Sequence, residues 1–154
     1  MEYNQLKLEN QLCFPFYAVS RLIIRAYQED LDALGITYPQ YLVLLVLWEN
    51  DNISVNEIAE KLILNTNTVT PLLKRMEVTR LLTRKQSTTD QRKVIISLTE
   101  EGKMLKEKAC EIPLRLMQKL KIEPTDQNLE ELIDLKSKLQ HLIEILEPLE
   151  KLKD

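Results

Sequence analysis

Glycine, cysteine, phenylalanine and histidine are all scarce in this chain of 154 residues, which contains two, two, two and one of them. Because leucine, isoleucine, glutamate and lysine are abundant instead, the composition favours a mostly helical fold. The hydrophobic share of 44% and the charged share of 29% are typical of a globular protein. The length is sufficient to bury a core, so we predict a single domain over residues 1–154.

The two cysteines, Cys13 and Cys110, are far apart and match no spacing of metal ligands. We therefore predict neither a metal site nor a cofactor. In a reducing compartment a permanent disulfide is not expected, so each cysteine has either a packing role or a reactive one. The single histidine, His141, falls in a helical segment and is predicted to be a solvated surface side chain.

Long apolar segments are also missing, since no run approaches the roughly 20 residues that a membrane-spanning helix needs. The first twelve residues lack the basic start and apolar centre of a signal peptide. From these two observations we expect a cytoplasmic protein without a membrane partner.

Basic charge is concentrated in one segment of this net acidic chain. The formal net charge is −3, yet the segment from Lys74 to Lys93 holds seven basic and two acidic residues. The net charge of that segment is +5, and the net charge of the remaining residues is −8. Because exposed charges are screened beyond about 8 Å, such a segment can bind phosphate locally. A solvated basic face is the alternative explanation for the charge count alone.

The first half of the chain contains clear signals for two helices. The first is predicted over about residues 13–34, where Pro15 favours a start near the cysteine and Gly35 suits the end. Thr37 is a suitable cap for the second helix, with Pro39 in its first turn. The apolar run that follows has the length of a buried core helix.

Two short helices are predicted next. Ser54 and Glu57 have the spacing of a capping box, which opens a third helix through Leu62. The polar run 65–68 begins a fourth helix through about Val78. This order is typical of a helix-turn-helix, with the fourth helix as the recognition helix. The runs 81–85 and 93–98 have strand character and flank a polar turn, which predicts a hairpin, or wing.

Small polar side chains and cations occupy the positions that would meet DNA in such a fold. In the recognition helix, the residues predicted to contact base edges or phosphates are Asn65, Thr66, Asn67, Thr68 and Thr70, and those predicted to contact the DNA backbone are Lys74 and Arg75. The candidate residues of the wing are Arg84, Lys85, Asp90 and Arg92. We expect Arg92 to enter a narrow A·T-rich minor groove, where the negative potential is strongest. Asp90 is predicted to orient it by a bidentate pair.

The C-terminal third is predicted to be helical. Thr99 caps a fifth helix, Pro113 interrupts it, and a last helix begins near Pro124. Leucines recur in that helix at spacings of three and four, at Leu132, Leu135, Leu139, Leu142, Leu146 and Leu149. Such a seam can pack against the chain's own first helix or against a second subunit. We favour the second subunit, because the chain has few other large elements to cover it.

Several segments resemble the MarR family of bacterial transcriptional regulators. They are Ser54–Thr99 as a whole, TPLLKRME at Thr70–Glu77 and DQRKVIISLTEEG at Asp90–Gly102. LENQLCFPFYAVSR at Leu8–Arg21 and LGITYPQYLVLLVLWE at Leu34–Glu49 resemble the branch that senses organic hydroperoxides, the OhrR type. The similarity covers about residues 6–114.

The resemblance implies a winged helix core over about 37–99 and dimerisation helices over about 6–34 and 100–154. It also implies a homodimer that represses at an inverted-repeat operator and loses DNA affinity when an N-terminal cysteine is oxidised. Cys13 matches the sensing cysteine, and Tyr27 and Tyr38 match tyrosines that hydrogen-bond to it. Asp90 and Arg92 match the family's wing pair.

This chain departs from the family pattern at three places. Asn65-Thr66-Asn67 replaces the more usual Asp-Ser-Gly, which leaves the operator preference open. Thr79-Arg80 stands where many relatives have a glycine before the wing, and Pro15 beside the cysteine is unusual.

The position of Cys13 suits a reactive thiol. At the start of a helix, free backbone N–H groups and the positive end of the dipole stabilise the thiolate that attacks peroxides. The apolar neighbours Leu12, Phe14 and Phe16 favour an organic hydroperoxide. An inert buried cysteine is the alternative. A sulfenic acid formed here would condense with Cys110 of a partner subunit or with a small cellular thiol, although we favour a packing role for Cys110.

Three other functions compete with the thiol-based repressor. One is a MarR-type regulator controlled by a small aromatic ligand, with Cys13 incidental. A thiol-dependent peroxidase is disfavoured, because the sequence has no CxxC and no catalytic histidine near Cys13. A helical adaptor that binds only protein would leave the basic hairpin unexplained. We therefore predict a regulator and not an enzyme.

Overall fold

The computed structural model describes residues 3–151 and the side chains of residues 3–148. After two short 3-10 turns, Asn4–Leu6 and Leu8–Asn10, the elements are α1 (Cys13–Ala33), α2 (Tyr38–Glu49), β1 (Ile53–Ser54), α3 (Val55–Lys61), α4 (Thr66–Val78), β2 (Leu82–Gln86), β3 (Val94–Leu98), α5 (Glu100–Ala109), α6 (Ile112–Lys119) and α7 (Asp126–Lys151). The predicted mainly α fold with a small hairpin is confirmed, and β1 adds a third strand to it.

The chain forms two compact units, which divide between Ile112 and Pro113. The break coincides with the predicted interruption of the fifth helix, since α5 ends at Ala109 and Pro113 lies in the first turn of α6. Proline is tolerated there because the first helical N–H groups have no partner within the helix. The first unit contains the helix-turn-helix and the wing, and the second contains α7.

The helix starts of the first unit follow the predicted caps. The Thr37 N–H donates to Gln40 Oε1 at 2.8 Å at the start of α2. At the start of α3, Ser54 Oγ accepts the Glu57 N–H at 3.3 Å and Glu57 Oε2 accepts the Ser54 N–H at 2.9 Å. Both are capping boxes, in which each side chain satisfies a backbone N–H that the helix leaves open.

The core of the first unit is built around α2. Its buried residues are Tyr41, Val43, Leu44, Val46 and Leu47, which lie on several sides of the helix. A helix that is apolar all round is stable when other elements surround it, as predicted for this segment. Ile58 and Ala59 of α3 and Val69, Leu73 and Met76 of α4 complete the buried cluster together with Leu82, Ile96 and Leu98 of the sheet.

The sheet has the order β1-β3-β2 with antiparallel pairing throughout. In the wing, Leu82 faces Leu98 and Gln86 faces Val94, while β1 adds the pair Ile53–Ile96 on the other edge of β3. α5 crosses the base of the wing at Gly102, whose carbonyl accepts the Trp48 Nε1–H at 2.9 Å. This hydrogen bond joins α5 to α2, and Gly102 itself lies against Leu81 and Leu98 at the base of the wing.

Large apolar side chains stay uncovered on α1 and α7. Among the 21 residues of α1, all within the described range, Leu31 alone is fully buried. On α7, Leu135, Leu139 and Leu146 are exposed. The side chain of Leu149 lies outside the described residues. Within residues 3–151 no single helix has the length and apolar character to span a bilayer, although α1 and α2, bent by 76°, meet that test as a pair.

Candidate nucleic-acid interface and cysteine site

The turn between α3 and α4 places the candidate recognition helix. The Ile63 N–H donates to the Glu60 carbonyl at 3.1 Å and the Leu64 N–H to the Ala59 carbonyl at 2.9 Å. These bonds end α3 and require a left-handed residue, which here is Ile63 with φ 54°. A β-branched residue is unfavourable in that conformation, so the packing of α3 and α4 overrides the local preference.

The first turn of α4 presents the predicted polar group. Asn65 precedes the helix without capping it by its side chain. Asn65, Thr66, Asn67 and Thr68 are exposed, Thr70 is half-buried, and Lys74 and Arg75 farther along are exposed. Val69, Leu73 and Met76 anchor the opposite face in the core. The apolar face of α4 is therefore buried in the core, and its polar face is exposed to solvent.

The wing carries the predicted aspartate–arginine pair in a different form. Asp90 Oδ1 accepts both the Arg92 N–H at 3.1 Å and the Arg92 Nε–H at 3.2 Å. The pair is therefore not bidentate, because one carboxylate oxygen receives both bonds. These bonds hold the pKa of the Asp90 carboxyl below its usual value. The Arg92 side chain is 92% exposed, so its guanidinium extends from the wing toward solvent.

Arg84 and Lys85 differ sharply from each other although they are neighbours on β2. Lys85 is exposed. The Arg84 side chain is only 18% exposed, and its Nη1 lies 3.6 Å from Glu77 Oε2 on α4. No sequence pattern points to Glu77, because two residues seven apart on either side of a turn form no recognisable short-range motif.

A cleft of about 190 Å³ lies where α3, α4 and the wing meet. Its lining residues are Ser54, Val55, Asn56, Thr66, Thr70, Arg84, Arg92, Lys93 and Val94. The structure thus brings the first turn of the recognition helix and three wing cations together around one concave surface. Hydroxyls and cations in a concave surface of this kind suit contacts with a phosphate backbone.

Cys13 is the first residue of α1 and is exposed, as the helix prediction required. Tyr27 lies fourteen residues farther along the same helix, which corresponds to about 21 Å at 1.5 Å per residue. The structure therefore does not bring Cys13 to Tyr27 within one chain. Phe14 and Phe16 beside the thiol are 39% and 42% exposed.

Tyr27 and Tyr38 belong to an aromatic cluster between α1 and α2. Their ring centroids are 5.3 Å apart, and Tyr41 lies 5.9 Å from Tyr27 and 6.3 Å from Trp48. Burial raises the pKa of the Tyr27 and Tyr38 hydroxyls above 10.0. Both phenols are therefore protonated at neutral pH and able to donate hydrogen bonds.

The remaining candidate residues are on the surface of the chain. Cys110 is the residue that follows α5, is exposed, and donates its S–H to the Glu107 carbonyl at 3.0 Å. Within a single chain Cys110 is thus not packed against other side chains, and its role stays a prediction. His141 is exposed, as predicted, and its Nδ1 lies 3.9 Å from Glu144 Oε2. No cluster of three or more metal-ligating side chains occurs in the part of the chain that the structure describes.

A helix-turn-helix with a polar first turn, followed by a hairpin that extends an arginine, defines a winged helix DNA-binding protein. Residues 25–109 match the family described as transcriptional regulator SarA/Rot. The chain is 50% identical to the organic hydroperoxide resistance transcriptional regulator of Bacillus subtilis (strain 168) over 145 residues, which cover 94% of this chain and 95% of that protein. The chain belongs to the MarR family of transcriptional regulators.

Further relatives support the assignment to this family of regulators. The regulator SarZ of Staphylococcus saprophyticus is 36% identical over 143 residues, 93% of this chain and 94% of that protein. Among solved structures, reduced AbfR bound to DNA has 40% identity and a TM-score of 0.70, with 93% of this chain and 99% of that chain covered. AbfR of Staphylococcus epidermidis gives 40% identity and a TM-score of 0.70 over 91% and 96% of the two chains. These relatives are regulators, which agrees with the prediction that the protein is not an enzyme.

Proposed function

We propose that this protein is a homodimeric repressor that binds an inverted-repeat operator and loses affinity when an organic hydroperoxide oxidises Cys13. The observation that carries the proposal is an exposed thiol at the first position of α1, close in sequence to the exposed side chains of Leu12, Phe14 and Phe16. The name of the Bacillus subtilis relative supports the class of oxidant. AbfR, solved on DNA in a reduced and in an overoxidized form, supports redox control. A regulator of DNA acts beside the chromosome, so we propose a cytoplasmic location.

The uncovered apolar side chains support the homodimer. They include Leu12, which precedes α1, and Phe16, Tyr17, Val19 and Leu22 on that helix, which are 75%, 42%, 57%, 53% and 60% exposed. Several large apolar side chains exposed along one helix are typical of an interaction surface. A second copy of the chain offers the same helices in return, which is the self-complementary contact of a two-fold dimer.

The separation of Cys13 from the tyrosines supports a sensor site shared between subunits. Because about 21 Å of helix lies between Cys13 and Tyr27, the thiol can meet these phenols only on another chain. We propose that Tyr27 and Tyr38 of one protomer donate hydrogen bonds to Cys13 of its partner. Both hydroxyls keep their protons at neutral pH, so they stabilise the thiolate as donors.

The proposed reaction is a two-electron oxidation of sulfur. The Cys13 thiolate attacks the outer peroxide oxygen, an S–O bond forms, the O–O bond breaks, and the alkoxide takes a proton and leaves as an alcohol. The resulting sulfenic acid condenses with a thiol and releases water. The thiol is Cys110 of the partner or a low-molecular-weight thiol. The loss of the thiolate acceptor frees the two tyrosines and changes the packing between subunits.

The proposed DNA contacts divide between two grooves. The major groove is proposed to receive the polar residues of the recognition helix, Asn65, Thr66, Asn67, Thr68 and Thr70. The phosphate backbone is contacted by Lys74, Arg75, Arg84 and Lys85. The minor groove is contacted by Arg92, which Asp90 holds in place. In a two-fold dimer the two recognition helices must lie about 34 Å apart to reach successive half-sites. A change in packing between the subunits therefore alters the spacing on which affinity depends.

The test is release from DNA by cumene hydroperoxide, followed by fluorescence anisotropy of a labelled duplex that the wild-type protein selects from a randomised library. We expect release of the wild-type protein and retention of Cys13→Ser. Cys110→Ser is the matched control, because it removes an exposed thiol at the end of another helix. Equal release of wild type and Cys13→Ser would refute the thiol switch. Release of both by a small aromatic acid, but not by the peroxide, would support the ligand-controlled alternative.

The same reaction tests Cys110. If Cys110 condenses with the sulfenic acid, a covalent dimer forms in the wild type and is absent from Cys110→Ser on a non-reducing gel. A small thiol as the condensing partner gives instead a mass increase on a single chain, in both proteins.

A further inference from the structure

One carboxylate joins the recognition helix to the wing. Glu77, in the last turn of α4, accepts the Arg84 N–H through Oε1 at 3.1 Å. Its other oxygen lies 3.6 Å from Arg84 Nη1. Since Arg84 is in the middle of β2, the wing strand is attached to α4 both through its backbone and through its side chain.

The buried position of the Arg84 side chain depends on its contact with Glu77. Its side chain is 18% exposed, and its Nε is buried without a partner among the described residues. A largely buried guanidinium is destabilising unless a nearby acid offsets its charge. Arg92 and Lys93 line the same cleft as Arg84. Without Glu77, Arg84 would lose the acid that offsets its charge, while two further wing cations line the same cleft.

We propose that Glu77 is a positioning residue for DNA binding, which acts through Arg84 to set the distance between the wing and the recognition helix. That distance decides whether Arg92 reaches the minor groove while the first turn of α4 occupies the major groove. The inference rests on the proposed contact of Arg92 with the minor groove.

The sign of the effect separates this role from simple electrostatics. Glu77 is an acid among the cations of the DNA-binding segment, so its removal should strengthen attraction to phosphate if charge alone mattered. We expect the opposite. Glu77→Ala should bind the selected duplex about tenfold more weakly, because the lost contact displaces a second DNA-binding element. It should also lose most of the preference for A·T pairs beside the major-groove site.

The experiment measures anisotropy with two duplexes at one salt concentration: the duplex selected by the wild-type protein, and the same duplex with its flanking A·T pairs replaced by G·C. Glu77→Ala is compared with Arg84→Ala and with the double variant, which should bind no more weakly than the weaker single variant. Glu100→Ala is the matched control. Glu100 is an exposed acid on α5 that pairs with Lys103 at 2.9 Å, and its removal should leave the A·T preference unchanged.

Circular dichroism establishes that each variant is folded. If Glu77→Ala does not fold, Glu77→Gln carries the test, because its amide oxygen still accepts the Arg84 N–H while the charge is lost. A folded Glu77 variant that binds as tightly as the wild type, with the full A·T preference, would overturn the inference. Failure of the wild-type protein to select any duplex would instead refute the proposed function, and an unchanged A·T preference in Arg92→Ala would refute the wing contact itself.

Discussion

Replacing Gly102 by alanine would place a Cβ atom closer than 3.0 Å to the carbonyl oxygen of Leu81, at the point where α5 crosses the base of the wing. The same Cβ would lie 3.1 Å from Leu98 Cδ2. Real Cβ atoms essentially never approach a backbone atom so closely, and a backbone carbonyl cannot swing aside as a side chain can. α5 must therefore move away from the wing by about 1 Å to reach ordinary contact distances.

The displacement affects a second contact, because the Gly102 carbonyl accepts the Trp48 Nε1–H at 2.9 Å. Overpacking in a well-packed core costs about 1–3 kcal/mol, and a lost hydrogen bond costs about 1 kcal/mol. We expect Gly102→Ala to lower the free energy of unfolding by about 3 kcal/mol. With a urea slope of about 2 kcal/mol per M, the midpoint of unfolding falls by about 1.5 M.

The assay is urea unfolding followed by tryptophan fluorescence, since Trp48 is the only tryptophan in the chain. The emission of the native variant should also differ from the wild type, because the indole loses its acceptor. Gly35→Ala is the matched control. Gly35 has open space around its Cα but a φ of 69°, so alanine there costs only about 1–2 kcal/mol and leaves the emission unchanged. A midpoint within about 0.3 M of the wild type for Gly102→Ala would refute the steric argument.

Two further predictions concern local backbone features. Ser54→Ala should lower the free energy of unfolding by about 1 kcal/mol at neutral pH, because it removes the cap of α3. Ser54 also holds the pKa of the Glu57 carboxyl below 4.5. The stabilisation from this contact is therefore present above pH 4.5 and is lost as the pH falls through the lower pKa of the folded state. Urea titrations at neutral and acidic pH would contradict this if the variant lost as much stability on acidification as the wild type. Arg80→Gly should raise the free energy of unfolding by about 0.5–1 kcal/mol, because Arg80 has a φ of 60°, and a lower urea midpoint would show the reverse.

Local signals in the sequence were sufficient for the helix boundaries. The caps at Thr37, Ser54 and Thr99 act within three residues of themselves, so their geometry follows from spacing alone. Pro113 lies in the first turn of α6, where a missing N–H costs no helical hydrogen bond, whereas Pro71 lies inside α4, so a proline alone does not fix a helix boundary. The left-handed backbone at Arg80 likewise accounts for the glycine that many relatives have before the wing.

Contacts between distant segments could not be predicted in the same way. β1 is two residues long and forms only because Ile53 meets Ile96 of the wing, a pairing that no local pattern encodes. The burial of Arg84 depends on the angle between β2 and α4, so the sequence predicts a DNA contact for this cation but not its contact with Glu77. For Cys13 the sequence predicted the position at the start of α1, whereas the proposed partners of its thiol lie on a second chain and leave no local pattern in the sequence.

Ser54 belongs to two structures at once, because its backbone pairs with Ile95 of the wing strand while its side chain caps α3. We therefore expect a fluctuation that separates β1 from β3 to weaken the cap of α3 as well. Such shared residues make neighbouring elements open as one cooperative unit. In native-state hydrogen exchange, the amides of β1 and of the first turn of α3 should consequently exchange with the same opening free energy, and Ser54→Ala should lower both together.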